Sequence, residues 1–290
     1  MNNIFHEGEY QIQETMGVRK DSDALSSMIQ NKLPFIAKGF LRELKFSVLT
    51  LVINETDMHS AVTYNHNNFI EILDDTAILI NLNNKSHIPK KYLEKDDLKI
   101  GFLGIDFEQA MRIRINGKAK ILDNKIIVSI DEAYANCPKY IKRRILNQNE
   151  NNDLYKNVYK HVIKQNRITE ELSNVISNSD TFFLASSHKR KGADISHKGG
   201  KKGFVKVISQ TEIQFIDMPG NNLYNSLGNI TTNSLVNLLF VDFKNNDIYL
   251  IIGDANITEV FEKNKRMLKI TVKYSNIIKS TNSFLMNFDS

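Results

Sequence analysis

The chain reads as mainly β, two barrel-type halves in tandem with a few helices, and three features of the sequence say so. Short apolar runs recur along its whole length between polar turns, from FSVLTLVI (46–53) to MLKITVKY (267–274). Several alternate strictly: Met111, Ile113 and Ile115 interleave with Arg112, Arg114 and Asn116, so that one face of the strand is apolar and the other cationic. The halves also repeat each other, with GFLGIDF (101–107) before IRINGKAKI (113–121) in one and LLFVDF (238–243) before YLIIGDANI (249–257) in the other. A glycine inside a strand, here Gly117 and Gly253, marks a bulge or bend of the kind a small barrel needs at its corners. The repetition reads as a diverged duplication.

Taken in order, residues 21–32 carry Leu25, Met28 and Ile29 at helical spacing behind Ser22 as cap, and Pro34 stops the helix. Strands follow at 46–53, 69–73, 77–82, 98–105, 111–122 and 126–130. The Asn- and Lys-rich stretch NQNENNDLYKNVYKHVIKQ (147–165) suits a linker that includes a surface helix. The expected division is therefore an N-terminal barrel over 1–146, a linker over 147–166 and a C-terminal barrel over 167–290. In the second half a helix at 170–177 is capped by Thr169, and strands recur at 181–186, 203–208, 212–217, 235–243, 248–252 and 267–274.

With 290 residues, 41% of them apolar, the chain can bury a normal core. No apolar run approaches the ~18 residues that span a bilayer, and MNNIFHEGEY has no signal-like character, so the expectation is a soluble cytoplasmic protein without a membrane partner. One cysteine, Cys137, can form neither an internal disulfide nor a thiolate metal site alone, and it reads as a small filler. Lys and Arg exceed Asp and Glu by 38 to 33, a mild excess concentrated between His188 and Lys206. That cluster could cradle a phosphate, contact nucleic acid or simply be a solvated loop. Phe204 is its one aromatic residue, which argues against nucleic acid.

Chemistry-bearing residues concentrate between Asp180 and Ile257. Pro219-Gly220 suits positions i+1 and i+2 of a type II turn, which would present Asn221, Asn222, Asn225, Ser226 and Asn229. A helix starting near Ser226 could add free amides and a favourable dipole. The bland alternative is ordinary turn chemistry, for which Asn, Gly and Ser are the default. Arg112 and Arg114 could reach an anionic ligand across an interface between the halves, or could line the solvent side of a barrel strand. His6, Glu7 and Glu9 lack the helical spacing of a zinc site and read as part of a structural or site-covering arm, and no metal is expected. No hydrolase elbow, Walker loop or Rossmann fingerprint is present in the sequence.

Five segments in order, FHEGEYQIQETMGV (5–18), RIRINGKAKI (112–121), NCPKYIKRR (136–144), DISHKGGKKGFVKV (194–207) and GNNLYNSLGNITTN (220–233), resemble the flavin-nucleotide-binding family related to pyridoxamine 5'-phosphate oxidase, in its two-half subset. The resemblance implies tandem FMN-binding split barrels and FMN as cofactor. It also implies a dimer, with the flavin near the interface of subunits or halves. It places Ser196, His197, Lys198 and Gly199 on the strand that passes the flavin, with Lys198 as the cation, and the phosphate at the corner that holds Asn221, Asn222, Asn225, Ser226 and Asn229. Lys139 and Arg143 or Arg144 would approach the cofactor or the partner half. The first half has MHSAVTYNHNNFI (58–70) where the second has DISHKGGKKGFV, so it is expected to have lost its own site and to act as a partner wall. The implied activity is an oxidoreductase passing hydride or electrons through flavin N5 to a small-molecule substrate, with no nucleic-acid partner. A non-catalytic flavin carrier or sensor, and a haem-handling barrel using His197 or His6, are the alternatives.

Overall fold

The computed structural model describes residues 4–64, 69–82, 87–146, 161–259, 265–280 and 286–287. Helices α1 (Glu7–Thr15), α2 (Arg19–Leu25) and α3 (Phe35–Glu43) precede strands β1 (Phe46–Asn54), β2 (Asp57–Tyr64), β3 (Ile70–Ile72) and β4 (Ala77–Asn81). Then come α4 (Lys90–Leu93), β5 (Leu98–Asp106), β6 (Met111–Leu122), β7 (Lys125–Ala135) and the short β8 (Ile145–Leu146). The second half opens with β9 (His161–Gln165) and α5 (Glu170–Asn178), then β10 (Thr181–His188), β11 (Gly192–Gly199), β12 (Val205–Ser209) and β13 (Glu212–Asp217). It closes with α6 (Asn225–Thr232), β14 (Leu235–Asp242), β15 (Asp247–Glu259), β16 (Arg266–Lys279) and β17 (Met286–Asn287).

Apart from β8 and β17, which pair in a separate two-stranded sheet, two large antiparallel sheets result, with orders β2-β1-β5-β6-β7-β4-β3 and β11-β10-β14-β15-β16-β13-β12. Strand for strand these are the same path, and in both the register slips at the interior glycine, between Asn116 and Gly117 in one and between Ile252 and Gly253 in the other. At each glycine a Cβ would strike a carbonyl of the neighbouring strand, Ser129 O or Thr271 O, at 2.0 or 2.4 Å, which is why the bulges need glycine. One apolar cluster draws on all seven strands of the first sheet, so that sheet wraps around its own core. The second sheet encloses a comparable cluster drawn from β10 and β12 to β16, while β11 turns Ala193 and Ile195 into the cluster between the halves, and it adds Ile12, Met16 and Val18 from the N-terminal segment. A third cluster joins Phe46, Val48 and Leu103 to Phe183, Leu239 and Leu250, so the halves meet through an apolar core and their inner strands are buried on both faces.

Local physics accounts for the helices. His6 and Glu9 form a capping box at the start of α1, and the Thr169 hydroxyl accepts from Leu172 N at 3.3 Å, as a cap should. The helix expected over 21–32 is α-helical only to Leu25 and continues as one 3-10 turn over Ser26–Met28, ending there because Gln30 exchanges backbone hydrogen bonds with Ala133 and draws the chain onto β7. Ser22 is not its cap but lies inside it, bonding Val18 O at 3.0 Å and Asn222 O at 2.8 Å. Residues 147–160 of the expected linker and surface helix lie outside the described residues, and 161–165 form β9 on the edge of β16. β2 was not among the expected strands because buried His59, Ser60 and Thr63 break its apolar pattern. Among the described residues no helix is long and apolar enough to cross a membrane.

Candidate functional site

Most of the residues singled out from sequence converge between the halves. β11 supplies Ser196, His197, Lys198 and Gly199, β6 of the other half supplies Arg112 and Arg114, and the first turn of α6 supplies Asn225 and Ser226. With Asn136, Tyr140, Asp217, Asn221 and Asn222 they line a polar recess of about 100 Å³. Past Tyr140, Gly199, Phe204, Ile216 and Met218 the recess opens into an apolar cleft of about 810 Å³. Close approach is built in at Gly199, where a Cβ would lie 2.2 Å from Tyr140 O.

The two arginines differ. Arg114 is 7% exposed and faces Asp194 at 3.2 Å, and it donates to the Tyr134 hydroxyl at 3.0 Å and to Asn225 Oδ1 at 3.3 Å. Burial opposes its charge, but Asp194 and Tyr134 outweigh that and hold it firmly protonated. Arg112 bonds Cys137 O at 2.7 Å and His197 Nδ1 at 3.1 Å and has no carboxylate partner among the described residues. Burial, and then Arg114, pull its pKa down to about 10, which still leaves it charged at neutral pH. The Nε donors of both arginines are buried without a hydrogen-bond partner among the described residues. Such donors are costly to leave unmet and mark a place for an acceptor.

His197 is neutral: burial, then Arg112, Arg144 and Lys198, drive its pKa far down. Because a guanidinium only donates, Nδ1 accepts and the ring proton sits on Nε2, and the ring packs T-shaped with Phe107 and Phe183. Lys198 pairs with Asp217, so the expected cation of β11 brings little net charge. Ser196 and Ser226 hydroxyls bond each other at 2.9 Å, and Ser226 donates to Asp194 at 3.0 Å. α6 begins after Tyr224 in the left-handed region (φ 60°) without a side-chain cap, so its first amides are left for other acceptors.

Two expectations need correction. Asn229 does not line the recess: it lies beneath, bonded to His6 Nε2 at 3.0 Å and to Ser186 at 3.1 Å, because it sits one helical turn deeper on α6. Gly220 is not at positive φ, so Pro219-Gly220 is not a type II turn; the left-handed residues are Asn222 and Tyr224, and Tyr140 Oη fixes Pro219 O at 3.1 Å. Sequence reasoning also missed Asp194, Asp217 and Tyr134 as partners of the cations. It took Glu9 only as part of an arm. Glu9 is buried beneath the recess, accepting from His6 N at 2.8 Å and Asn225 Nδ2 at 2.6 Å, and burial raises its pKa to about 8. The capping box at residues 6–9 was the available signal. Arg144 is buried against Asp180 of the second half, so the NCPKYIKRR segment does bridge the halves. Of the two histidines named as alternative haem ligands, His6 has both ring nitrogens engaged, by Asn229 and by Gly8 N, and His197 has Nδ1 engaged by Arg112.

No protein-family model matches the chain, and no curated protein matches it. Solved structures similar to it include a candidate pyridoxamine 5'-phosphate oxidase from Lactobacillus delbrueckii, 16% identical, covering 38% of this chain and 94% of that one at TM-score 0.32. A Clostridium acetobutylicum protein of the pyridoxinephosphate oxidase family is 11% identical over 38% of this chain and 86% of that one, at TM-score 0.30. A FAD-binding protein from Mesorhizobium loti is 10% identical over 42% of this chain and 100% of that one, at TM-score 0.29. At these scores the similarity adds nothing to the geometry, and the fold rests on the strand order.

Proposed function

We propose that this chain binds flavin mononucleotide between its halves and works as an oxidoreductase on a small molecule. The observation that carries the reading is the joining of a small cationic recess, with two unmet buried guanidinium donors and an uncapped helix start, to a larger apolar cleft. A recess of about 100 Å³ takes a phosphate but not a tricyclic ring, whereas the cleft lies within the size range of ordinary ligand sites. Arg112, Arg114 and the first amides of α6 would hold the phosphate, and Asn221, Asn222 and Ser196 would serve the ribityl hydroxyls. Phe204, Ile216, Met218 and Tyr140 would wall the ring. Arg112, Arg114 and Lys198 against Asp194 and Asp217 leave one net positive charge at neutral pH, supplied by Arg112. When bound, the flavin would supply hydride or single-electron chemistry at N5, while the protein sets access, potential and orientation.

The same reading takes 1–146 and 167–290 as duplicated barrels with 147–166 between them. The first half would provide the wall that a second copy of a single-barrel protein would otherwise provide. The test is the absorbance spectrum of the purified protein, followed by FMN titration of wild type and of Arg112→Leu. Flavin bands, or saturable FMN binding that weakens at least tenfold in the variant, are expected. Colourless wild-type protein that does not bind added FMN would overturn the proposal.

A further inference from the structure

Beyond Phe204 the cleft changes character. Its far side is lined by Ile141, Phe215 and Met267, while Lys142, Lys201, Lys202 and Lys206 stand around it. Tyr140, Ile216 and Met218 are 40%, 37% and 39% exposed along the same opening, a concentration of large apolar side chains on one part of the surface. Such a patch marks a binding surface more often than chance exposure.

The hairpin that carries the lysines is built, not loose. Gly200 N donates to Asp180 O and Phe204 N to Lys201 O, both at 3.0 Å, and Gly203 turns the chain at φ 80°. A Cβ on Gly200 would meet the Phe204 ring at 2.6 Å, so glycine lets Phe204 fold back over the hairpin to the boundary of the recess, leaving Lys201 and Lys202 on its outside. Lys201, Lys202 and Lys206 have no ion pair among the described residues. The one acid lining the cleft, Asp180, is already met by Arg144 and by Lys142 at 3.2 Å. Apolar walls with uncompensated cations at the rim suit one kind of ligand: an apolar body ending in an anion.

We propose that this distal cleft binds an amphipathic organic anion, an aliphatic or aromatic carboxylate whose apolar body lies on Ile141, Phe215 and Met267 and whose charge meets Lys201, Lys202 and Lys206. The inference goes beyond the flavin reading, because Ile141, Phe215, Met267 and the three lysines neither line the recess nor belong to the residues assigned to the flavin ring, and the two are measured separately. Calorimetric titration of the purified full chain with dodecanoate, below its micelle concentration, should show saturable binding at one site. Dodecylamine, with the same tail and the opposite charge, should bind at least tenfold more weakly. Lys201→Glu with Lys202→Glu changes only exposed side chains, so circular dichroism should be unchanged while dodecanoate affinity falls about tenfold, the scale expected for reversing two rim charges. Dodecanoate that fails to bind, that binds no better than the amine, or that is unaffected by the double substitution would overturn the proposal. Flavin content, read by absorbance in the same samples, reports the recess independently, so a chain that binds dodecanoate but not FMN would sink the flavin reading alone.

Discussion

The recess has a counterpart in the other half, and the two differ sharply in what their strands carry. Pairing Leu49 with Phe102 and Ala61 in one sheet, and Leu184 with Leu238 and Ser196 in the other, puts Ala61, Val62, Thr63 and Tyr64 where β11 has Ser196, His197, Lys198 and Gly199. Counting back from the two bulge glycines puts Ile248 and Leu250 where β6 has Arg112 and Arg114. Val62, Tyr64, Ile248 and Leu250 all belong to the apolar cluster between the halves. One pair of strands builds a charged recess and its counterpart builds core, on the same strand order. The two sheets therefore differ in a handful of side chains and not in strand order.

The sharpest way to break that contrast is to give the recess its counterpart's residue. Arg114→Leu copies Leu250 but leaves Asp194 buried without its cation, which should cost about 3–5 kcal/mol in urea denaturation. Adding Asp194→Asn should restore most of that stability while FMN affinity stays low. If the single variant were as stable as wild type, the arginine would be dispensable to the packing and the contrast would lose its energetic basis.

A smaller effect is expected at the strand end. The first half accommodates a tyrosine at residue 64, whereas at Gly199 even a Cβ would lie 2.2 Å from Tyr140 O and 2.9 Å from the His197 ring. Gly199→Ala should cost roughly 1–3 kcal/mol by overpacking and weaken FMN binding by displacing Tyr140. A denaturation midpoint equal to that of wild type would show that the 136–140 segment yields freely.

How much of this could be read beforehand follows from what each signal encodes. Strands with strict alternation, such as β6 and β16, were legible because their inner face is apolar and the outer face is not. β2 was not, since it is buried on both sides yet carries His59, Ser60 and Thr63 for hydrogen bonding. The recess residues were legible as types: Ser196 to Gly199, Asn221 and Asn222, and Arg112 and Arg114 do meet. Their charge balance was not, because Asp194 and Asp217 acquire their roles only through cross-strand and inter-half contacts that local spacing does not record. Nor does spacing reveal that α1, from the start of the chain, crosses α6 so closely that a Cβ on Gly8 would lie 2.2 Å from Gly228 O.

That crossing sets a pH dependence. Glu9 has its pKa raised to about 8 by burial, with Glu132 adding repulsion, so the folded state holds a proton that an unfolded chain releases near its ordinary value. Stability from this group is complete below the unfolded value and is lost as pH rises toward 8. Below about 6.5 the sign reverses for His6 and His59, both kept neutral by burial with pKa values pulled down to about 4. The clean window for Glu9 is therefore pH 6.5 to 8, where about 1–2 kcal/mol should be lost in wild type and little in Glu9→Gln. Parallel pH profiles for the two proteins in denaturation would rule Glu9 out as the cause.

The smallest expected effect concerns Lys198, which in the first half corresponds to Thr63. Lys198 and Asp217 are both largely buried and face each other at the mouth of the recess, so their charges cancel there. Replacing both, as Lys198→Met with Asp217→Leu, removes a pair whose attraction roughly offsets its desolvation, and stability should change by no more than about 1 kcal/mol. FMN affinity should likewise change by less than tenfold, because the net charge that an anion meets comes from Arg112. Asp217→Asn alone is the sharper instrument: it frees the lysine charge into the recess and should tighten FMN binding, more at low salt than at high. If that single change weakened binding instead, Asp217 would be a direct contact of the ligand and not merely the partner of Lys198.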